Sequence, residues 1–333
     1  MGKLEISRKE AIGKITIFSV CYNQPMSVIL ALDVGGTHMR AAVFPKNEHV
    51  PIKQNRIRTK ASGETAFSRL IKLIKEITPP HESIDCLGIA VPGLIDPHKG
   101  VILTTPNIPE WSGMPIISMI ENELGVPTRM GNDANLAALG EWCYGAGQGH
   151  HYLLYLTIST GIGGGVIIND QLLVGSHGLG AELGHVTILP NGPLCSCGQR
   201  GHLEALASGR AIAKYVADQL QDGRTSSLEG SPDTKAIAEA AKSGDTLAVE
   251  AFSRAGYYLG LAIANYLMIF NPTIVILGGG VSLTGDLLMI PIRTTLTSAL
   301  FSEEYLQDLL LTQAFLGDDA GLYGALALAR ENI

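Results

Sequence analysis

The chain has 333 residues, 46% of them hydrophobic and 17% charged, which allows a sizeable core and about two domains. A net charge of −7 argues against a binder of nucleic-acid backbones, which needs clustered Lys and Arg, yet leaves room for a small anion held by backbone amides. No run reaches the ~18 apolar residues of a membrane span, and none of the 39 glycines follows a collagen-like period.

Residues 1–25 carry Glu5 and Glu10 among the lysines, and the apolar run Ile17–Cys21 is short and lacks a small-residue exit, so they read as an N-terminal extension or an upstream start before Met26. A cytoplasmic protein is expected. Cys21, Cys86 and Cys143 stand alone in apolar or helical surroundings and are expected to be buried thiols in a reducing compartment. The first strand is Val28–Asp33, followed by a Gly35-Gly36-Thr37 turn and a second strand Arg40–Phe44. A helix-like stretch at Glu64–Thr78, a buried strand at Ile84–Val91, a helix at Met114–Leu124 and an alanine-rich helix opening at Asp133 come next. The pattern of strand, Gly/Thr turn and strand then repeats at Leu153–Ile158, Ser159–Gly165 and Val166–Ile168, suggesting two related α/β halves. An amphipathic run Arg210–Gln221, a polar surface loop Asp222–Asp233 expected to be the most disordered stretch, a long helix Asp245–Phe270, a buried strand Thr273–Leu277 and a helix Asp319–Arg330 complete the chain. Strands alternating with helices predict an α/β fold.

Three glycine clusters follow strand ends: Asp33 with Gly35-Gly36-Thr37, Ser159–Gly165, and Gly278-Gly279-Gly280. Glycine lets a backbone approach a phosphate while successive N–H groups donate to it, and a carboxylate such as Asp33 can hold hydrated Mg²⁺. A plain hairpin turn is the other reading of any single cluster. No P-loop signature occurs, and no G-x-G-x-x-G opens a helix after the first strand. Asp133 at a helix start is either an N-cap or a proton acceptor.

These motifs are similar to those of the ROK family of sugar kinases and repressors, within the actin-like ATPase superfamily, over nearly everything from Met26 onward. Asp33–Arg40 resembles its first phosphate motif, Ile158–His185 its Gly-rich signature, Gly278–Val281 its adenosine motif, and Gly131-Asn132-Asp133-Ala134-Asn135 its catalytic motif. The resemblance implies two actin-like (ribonuclease H-like) lobes with a cleft between them: a small lobe of residues 26–130, joined by the C-terminal helix 317–333, and a large lobe of residues 131–316 with a zinc-binding loop. It implies ATP and Mg²⁺, with Asp33, Gly35, Gly36, Thr37, Arg40, Thr160, Gly161, Gly163, Gly279 and Gly280 on the nucleotide side. It implies Asp133 as base and Asn107, Asn132, Glu182, His185 and Glu204 as ligands of a hexose. Apart from the resemblance, Asn107 reads as a turn residue between prolines and Glu204 as a helix-start carboxylate.

His185, Cys195, Cys197 and His202 offer four metal ligands within eighteen residues. The family pattern has a third cysteine where this chain has His202, and two thiolates with two imidazoles remain a tetrahedral zinc set. A closed four-ligand site implies structural Zn²⁺, steadying the loop of Glu182 and His185; the other reading leaves His202 a polar residue beside a partial site. Gly180-Ala181 reverses the order common in relatives. Among functions, a kinase accounts for every motif. A repressor calls for a helix-turn-helix ahead of Asp33, where 32 residues are too few and weakly patterned, and a sugar-free actin-like ATPase leaves the Glu182, His185 and Glu204 set idle. Glucose is the expected hexose, with N-acetylmannosamine, N-acetylglucosamine, mannose, fructose and allose as alternatives. A homodimer is the family expectation, with no nucleic-acid or membrane partner.

Overall fold

A computed structural model describes residues 27–80 and 82–330; the calls on residues 1–25 and on Cys21 lie outside the described residues. In chain order its elements are β1 (Ser27–Val34), β2 (His38–Pro45), β3 (Lys53–Arg58), α1 (Ala66–Ile77), β4 (Ser83–Val91), β5 (Leu94–Asp96), β6 (Val101–Thr104), α2 (Ile116–Leu124), β7 (Thr128–Asn132) and α3 (Asp133–Tyr144). There follow β8 (Tyr152–Ile158), β9 (Ile162–Ile168), β10 (Gln171–Leu172), α4 (Leu203–Ala207), α5 (Gly209–Gln221), α6 (Thr234–Lys242), α7 (Thr246–Phe270), β11 (Ile274–Gly278), α8 (Asp286–Ala299), β12 (Leu310–Gln313) and α9 (Ala320–Arg330).

Two five-stranded sheets share one topology. The first runs β3-β2-β1-β4-β7 and the second β10-β9-β8-β11-β12. In each, an antiparallel hairpin (β1/β2, β8/β9) begins the sheet and two later strands join in parallel. The repeat of strand, turn and strand seen in the sequence is therefore a repeat of folds, and the architecture is α/β with two lobes.

Three cores follow from this doubling. The outer face of the first sheet packs on α1 through Leu70, Leu73 and Ile74, on α2 through Ile116 and Ile120, and on Trp111 of the turn before α2. The outer face of the second packs on α5 to α8, with the apolar stripe of α7 (Phe252, Leu259, Ile263, Tyr266) at its centre. Between the sheets lies a third core, in which Ile29 and Phe44 of one sheet and Tyr155 and Ile276 of the other meet α3 and α9. Small residues let those two helices touch: a Cβ on Gly140 or Gly324 would overlap the backbone of the facing helix.

Several elements differ from the sequence expectation. Gly163, Gly164 and Gly165 belong to strand β9 and not to the preceding turn, which is confined to Ser159-Thr160-Gly161. The reason is packing: a Cβ on Gly163 would lie 2.8 Å from Ala134 Cβ, and one on Gly165 2.5 Å from Ala138 Cβ, so bare backbone is needed where α3 lies on β9. The stretch 222–233 is a loop, but it is tied down: Ser226 and Ser227 both donate to Asp245 Oδ2, the carboxylate that caps α7. Cys86 is buried as expected, whereas Cys143 is only half-buried.

Candidate active site

The hairpin β1/β2 fixes the first glycine turn. Gly35 N donates to His38 O at 2.8 Å, and the buried Thr59 clamps the turn from β3, donating through Oγ1 to Gly35 O at 2.6 Å and through its N–H to Thr37 O at 2.9 Å. Asp33 stands at the end of β1 and accepts from Arg40 Nη2 at 2.6 Å; Arg40 Nη1 reaches Asp319 Oδ1 at 3.1 Å. Burial pushes the Asp33 pKa up against the opposing pull of Arg40. Asn107 leans over the turn, since a Cβ on Gly36 would lie 2.7 Å from Asn107 Cβ.

Strand β7 leads straight into α3, and the junction gives the capping role to the residue before Asp133. The N-cap is Asn132, whose Oδ1 accepts from Ala134 N at 2.9 Å and Asn135 N at 3.1 Å, while its Nδ2 donates to Gly93 O at 3.1 Å. One Nδ2 proton is left. Asp133 is the first helical residue, and its Oδ1 accepts from Ala134 N at 2.9 Å. Burial pushes its pKa up to about 7, and the charges of Asp33 and Glu182 add to the rise. Two carboxylates, Asp33 and Glu182, thus bear on Asp133.

Across from α3, the short helical turn Leu183–His185 carries Glu182 and His185. Ala181, just before Glu182, holds φ 62°, a left-handed conformation unusual for a residue with a Cβ. Gly180 cannot take a Cβ, which would meet Val174 C at 2.9 Å. Burial raises the Glu182 pKa, His185 opposes and Glu204 reinforces. Glu204, in the first turn of α4, accepts from Ile162 N at 3.2 Å through Oε2 and from Ser196 Oγ at 2.5 Å through Oε1. Its Oε2 fills the place a Cβ on Gly161 would occupy.

The second turn is held by Ser159 N donating to Gly161 O at 2.9 Å and by Arg210 Nε donating to Thr160 O at 3.1 Å. The third adjoins it, with Val281 N donating to Ile158 O at 3.0 Å. Gly279 takes φ 81° with no room for a side chain, whereas a Cβ on Gly280 would meet nothing within 4 Å.

His185, Cys195, Cys197 and His202 are brought together with their ligand atoms all within 4.8 Å of one another. Cys195 Sγ lies 3.6 Å from His185 Nδ1 and Cys197 Sγ 3.3 Å from His202 Nδ1. Zinc bonds of ~2.3 Å to sulfur and ~2.0 Å to nitrogen, set tetrahedrally, give sulfur–nitrogen edges of about 3.5 Å, so the set fits that ion. Pairing of Cys195 N with Gln199 O at 2.7 Å and a left-handed Gly198 at φ 90° shape the knuckle. With Nδ1 turned to Cys195, His185 Nε2 is left for another partner.

The structure relates some of the expected residues in pairs, Gly36 against Asn107, Gly161 against Glu204, and Asp33 and Glu182 by charge to Asp133, and it places Gly163 in a strand where a turn was expected. Sequence reasoning missed Thr59, Ser196, Arg210 and Asp319, whose partners lie 8 to 279 residues away along the chain. Of these only Asp319 carried a local signal, the acidic pair beginning the last helix.

Among known proteins, the ROK family profile matches residues 29–332. A glucokinase of Thermotoga maritima is 36% identical over 316 residues, covering 93% of this chain and 99% of that protein. The xylose repressor of Bacillus subtilis is 32% identical over 303 residues, 90% of this chain and 76% of that protein. In structure, a ROK glucokinase from Streptomyces griseus, solved with glucose and AMPPNP, superposes with a TM-score of 0.77 at 34% identity, covering 92% of this chain and all of that one. The doubled sheet, the turns at its strand ends and the sequence between them all agree, and the chain belongs to the ROK family.

Proposed function

We propose that the protein is an ATP-dependent kinase of glucose, forming glucose 6-phosphate and ADP. The observation that carries this reading is Asp133: a carboxylate free of the capping duty, held with a pKa near 7 and facing Asp33 and Glu182. Phosphoryl transfer needs positioning, charge neutralisation and an acceptor for the hydroxyl proton, and a base with a pKa close to neutral suits the last. Asp133 takes the proton of the attacking sugar hydroxyl as its oxygen bonds to the γ-phosphorus, while the bond from that phosphorus to the β–γ bridging oxygen breaks and ADP leaves. Asn107, Glu182, His185 Nε2 and the remaining Nδ2 proton of Asn132 orient the sugar.

Glu204 differs from these, because both its oxygens have protein partners. It couples the sugar loop to the second turn besides offering a lone pair to a hydroxyl. On the nucleotide side, the turns at Gly35-Gly36-Thr37, Thr160-Gly161 and Gly279-Gly280 supply backbone donors, and Gly163 serves by admitting α3. Arg40 already holds two carboxylates, so its share in the nucleotide site is to set Asp33. Asp33 would hold Mg²⁺ through water, and the ion would supply charge neutralisation to the triphosphate.

His185, Cys195, Cys197 and His202 would hold zinc, which with all four ligands from the protein would supply rigidity to the loop bearing Glu182 and Ser196 and no chemistry. In this reading residues 27–130 with α9 form the small lobe and 131–316 the large one. The enzyme works as a homodimer in the cytoplasm; no helix among the described residues is long and apolar enough to cross a membrane. A coupled ADP-release assay over free hexoses and N-acetylhexosamines tests the proposal: glucose gives the highest kcat/KM, and a sugar-independent or absent ADP release refutes it.

A further inference from the structure

Glu182 and His185 stand at the two ends of one short turn, so the placing of both depends on the two residues between them, Leu183 and Gly184. On the β9 side the turn is seated by shape. The Leu183 side chain is buried, with Cδ1 2.6 Å from where a Cβ on Gly164 would lie, and a Cβ on Gly184 would fall 1.9 Å from Ile162 O. Residue 184 is therefore glycine for clearance, and the same lack of a side chain makes it the point about which the turn would otherwise pivot.

The turn's own hydrogen bonds hold it only in part. His185 N donates to Glu182 O at 3.0 Å, but the next bond, from Val186 N to Leu183 O, is stretched to 3.5 Å. Leu183 O is satisfied from another element: Tyr266 of α7 donates its hydroxyl proton to it at 2.5 Å, across 83 residues of chain. The tyrosine is 1% exposed, and a phenol has one proton to give. Burial raises the Tyr266 pKa, which keeps the group a donor at neutral pH.

Helix α7 backs the neighbouring segment as well. Arg254, between the rings of Tyr215 and Tyr258 at 5.0 Å from each, donates through Nη1 to Leu206 O at 3.1 Å, in the helix α4 whose first turn carries Glu204. Tyr266 therefore hangs its bond from an element that is itself braced against the site.

We infer that Tyr266 is a positioning residue for the sugar: by its hydrogen bond to Leu183 O it fixes the Leu183–Gly184 peptide, and with it the directions in which Glu182 and His185 meet the substrate. This rests on the proposed kinase reading. Tyr266 acts from behind the turn, and its effect reaches the sugar through the two residues that the turn carries. A misplacement of orienting groups by about 1 Å costs up to about 10²-fold in rate, so one lost hydroxyl should be measurable.

The test is Tyr266→Phe, which keeps the ring and removes only the hydroxyl. It should raise KM and Kd for glucose about tenfold, lower kcat by less, and leave KM for ATP unchanged. The buried Leu183 O loses its main partner, so the melting temperature should fall too. Ile263→Val, a wholly buried position on the same helix, supplies the comparison: it should also melt lower, with KM for glucose and for ATP unchanged. Unchanged glucose KM in Tyr266→Phe overturns the assignment, and so does an equal rise in Ile263→Val, which would make the effect one of stability alone. If no sugar supports turnover by the wild type, the kinase reading has failed, and amide hydrogen exchange over residues 183–188 then carries the test. Faster exchange there in Tyr266→Phe than in Ile263→Val supports the tether, and equal exchange overturns it.

Discussion

Asn132 caps the helix that Asp133 begins: its Oδ1 receives the amide protons of Ala134 and Asn135, and the carboxylate beside it is left free of that duty. Asn132→Ala should therefore lose about 1 kcal/mol of stability or more, whereas Asn132→Asp keeps the cap but sets a carboxylate oxygen against Gly93 O and should recover only part of it. Urea unfolding of the two variants checks this. Asp133→Asn should not destabilise. The native pKa of Asp133, about 7, lies above its ordinary value, so ionisation costs the folded state more as pH rises from about 4 to about 7. The asparagine variant escapes that cost, and its stability relative to wild type should grow across that window and then level off.

The hairpins and most helices were legible because their signals are local: strand runs broken by glycine at Gly35-Gly36, a Gly125 stop after α2, and the apolar stripe of α7. Gly163-Gly164-Gly165 misled, since a glycine run reads as a turn, and only the approach of Ala134 and Ala138 from another element reveals a strand. Asp133 drew the cap reading because the helix starts at it, although the cap lies one residue earlier. Glu141 was invisible: its partners Phe315 and Leu316 are about half the chain away, and no pattern around it marks a buried carboxylate. The four candidate metal ligands were legible from spacing, while their closeness required the fold.

Activity should rise with pH through a limb near 7, as Asp133 loses its proton. Asp33 is the largest charge raising that value, so Asp33→Asn should move the limb of kcat/KM to lower pH, whatever it does to the plateau. A pH–rate profile decides; a limb that stays or moves upward contradicts the coupling.

Protein purified without chelators should contain about one zinc per chain. His202→Ala should lower zinc content and melting temperature together, and His202→Cys should keep both, because thiolate and imidazole serve zinc alike. Metal analysis and thermal melts on the same samples measure this. Zinc-free wild type would leave Cys195 and Cys197 as mere neighbours.

Gly165→Ala should destabilise by about 1–3 kcal/mol, because its methyl would press on Ala138 Cβ and Asn135 Cα. Gly280→Ala, with open space at the same atom, should melt with the wild type. Calorimetric scans of both variants distinguish packing glycine from site glycine.

The central claim is that Asp133 accepts the proton of a glucose hydroxyl during phosphoryl transfer, and it is tested most directly by measuring kcat through ADP release and glucose Kd through calorimetry on wild type and Asp133→Asn. Asparagine keeps the shape and the hydrogen bond but cannot take the proton, so kcat should fall by about 10²–10⁴-fold while glucose Kd stays nearly constant. Near-normal kcat in Asp133→Asn would contradict the account.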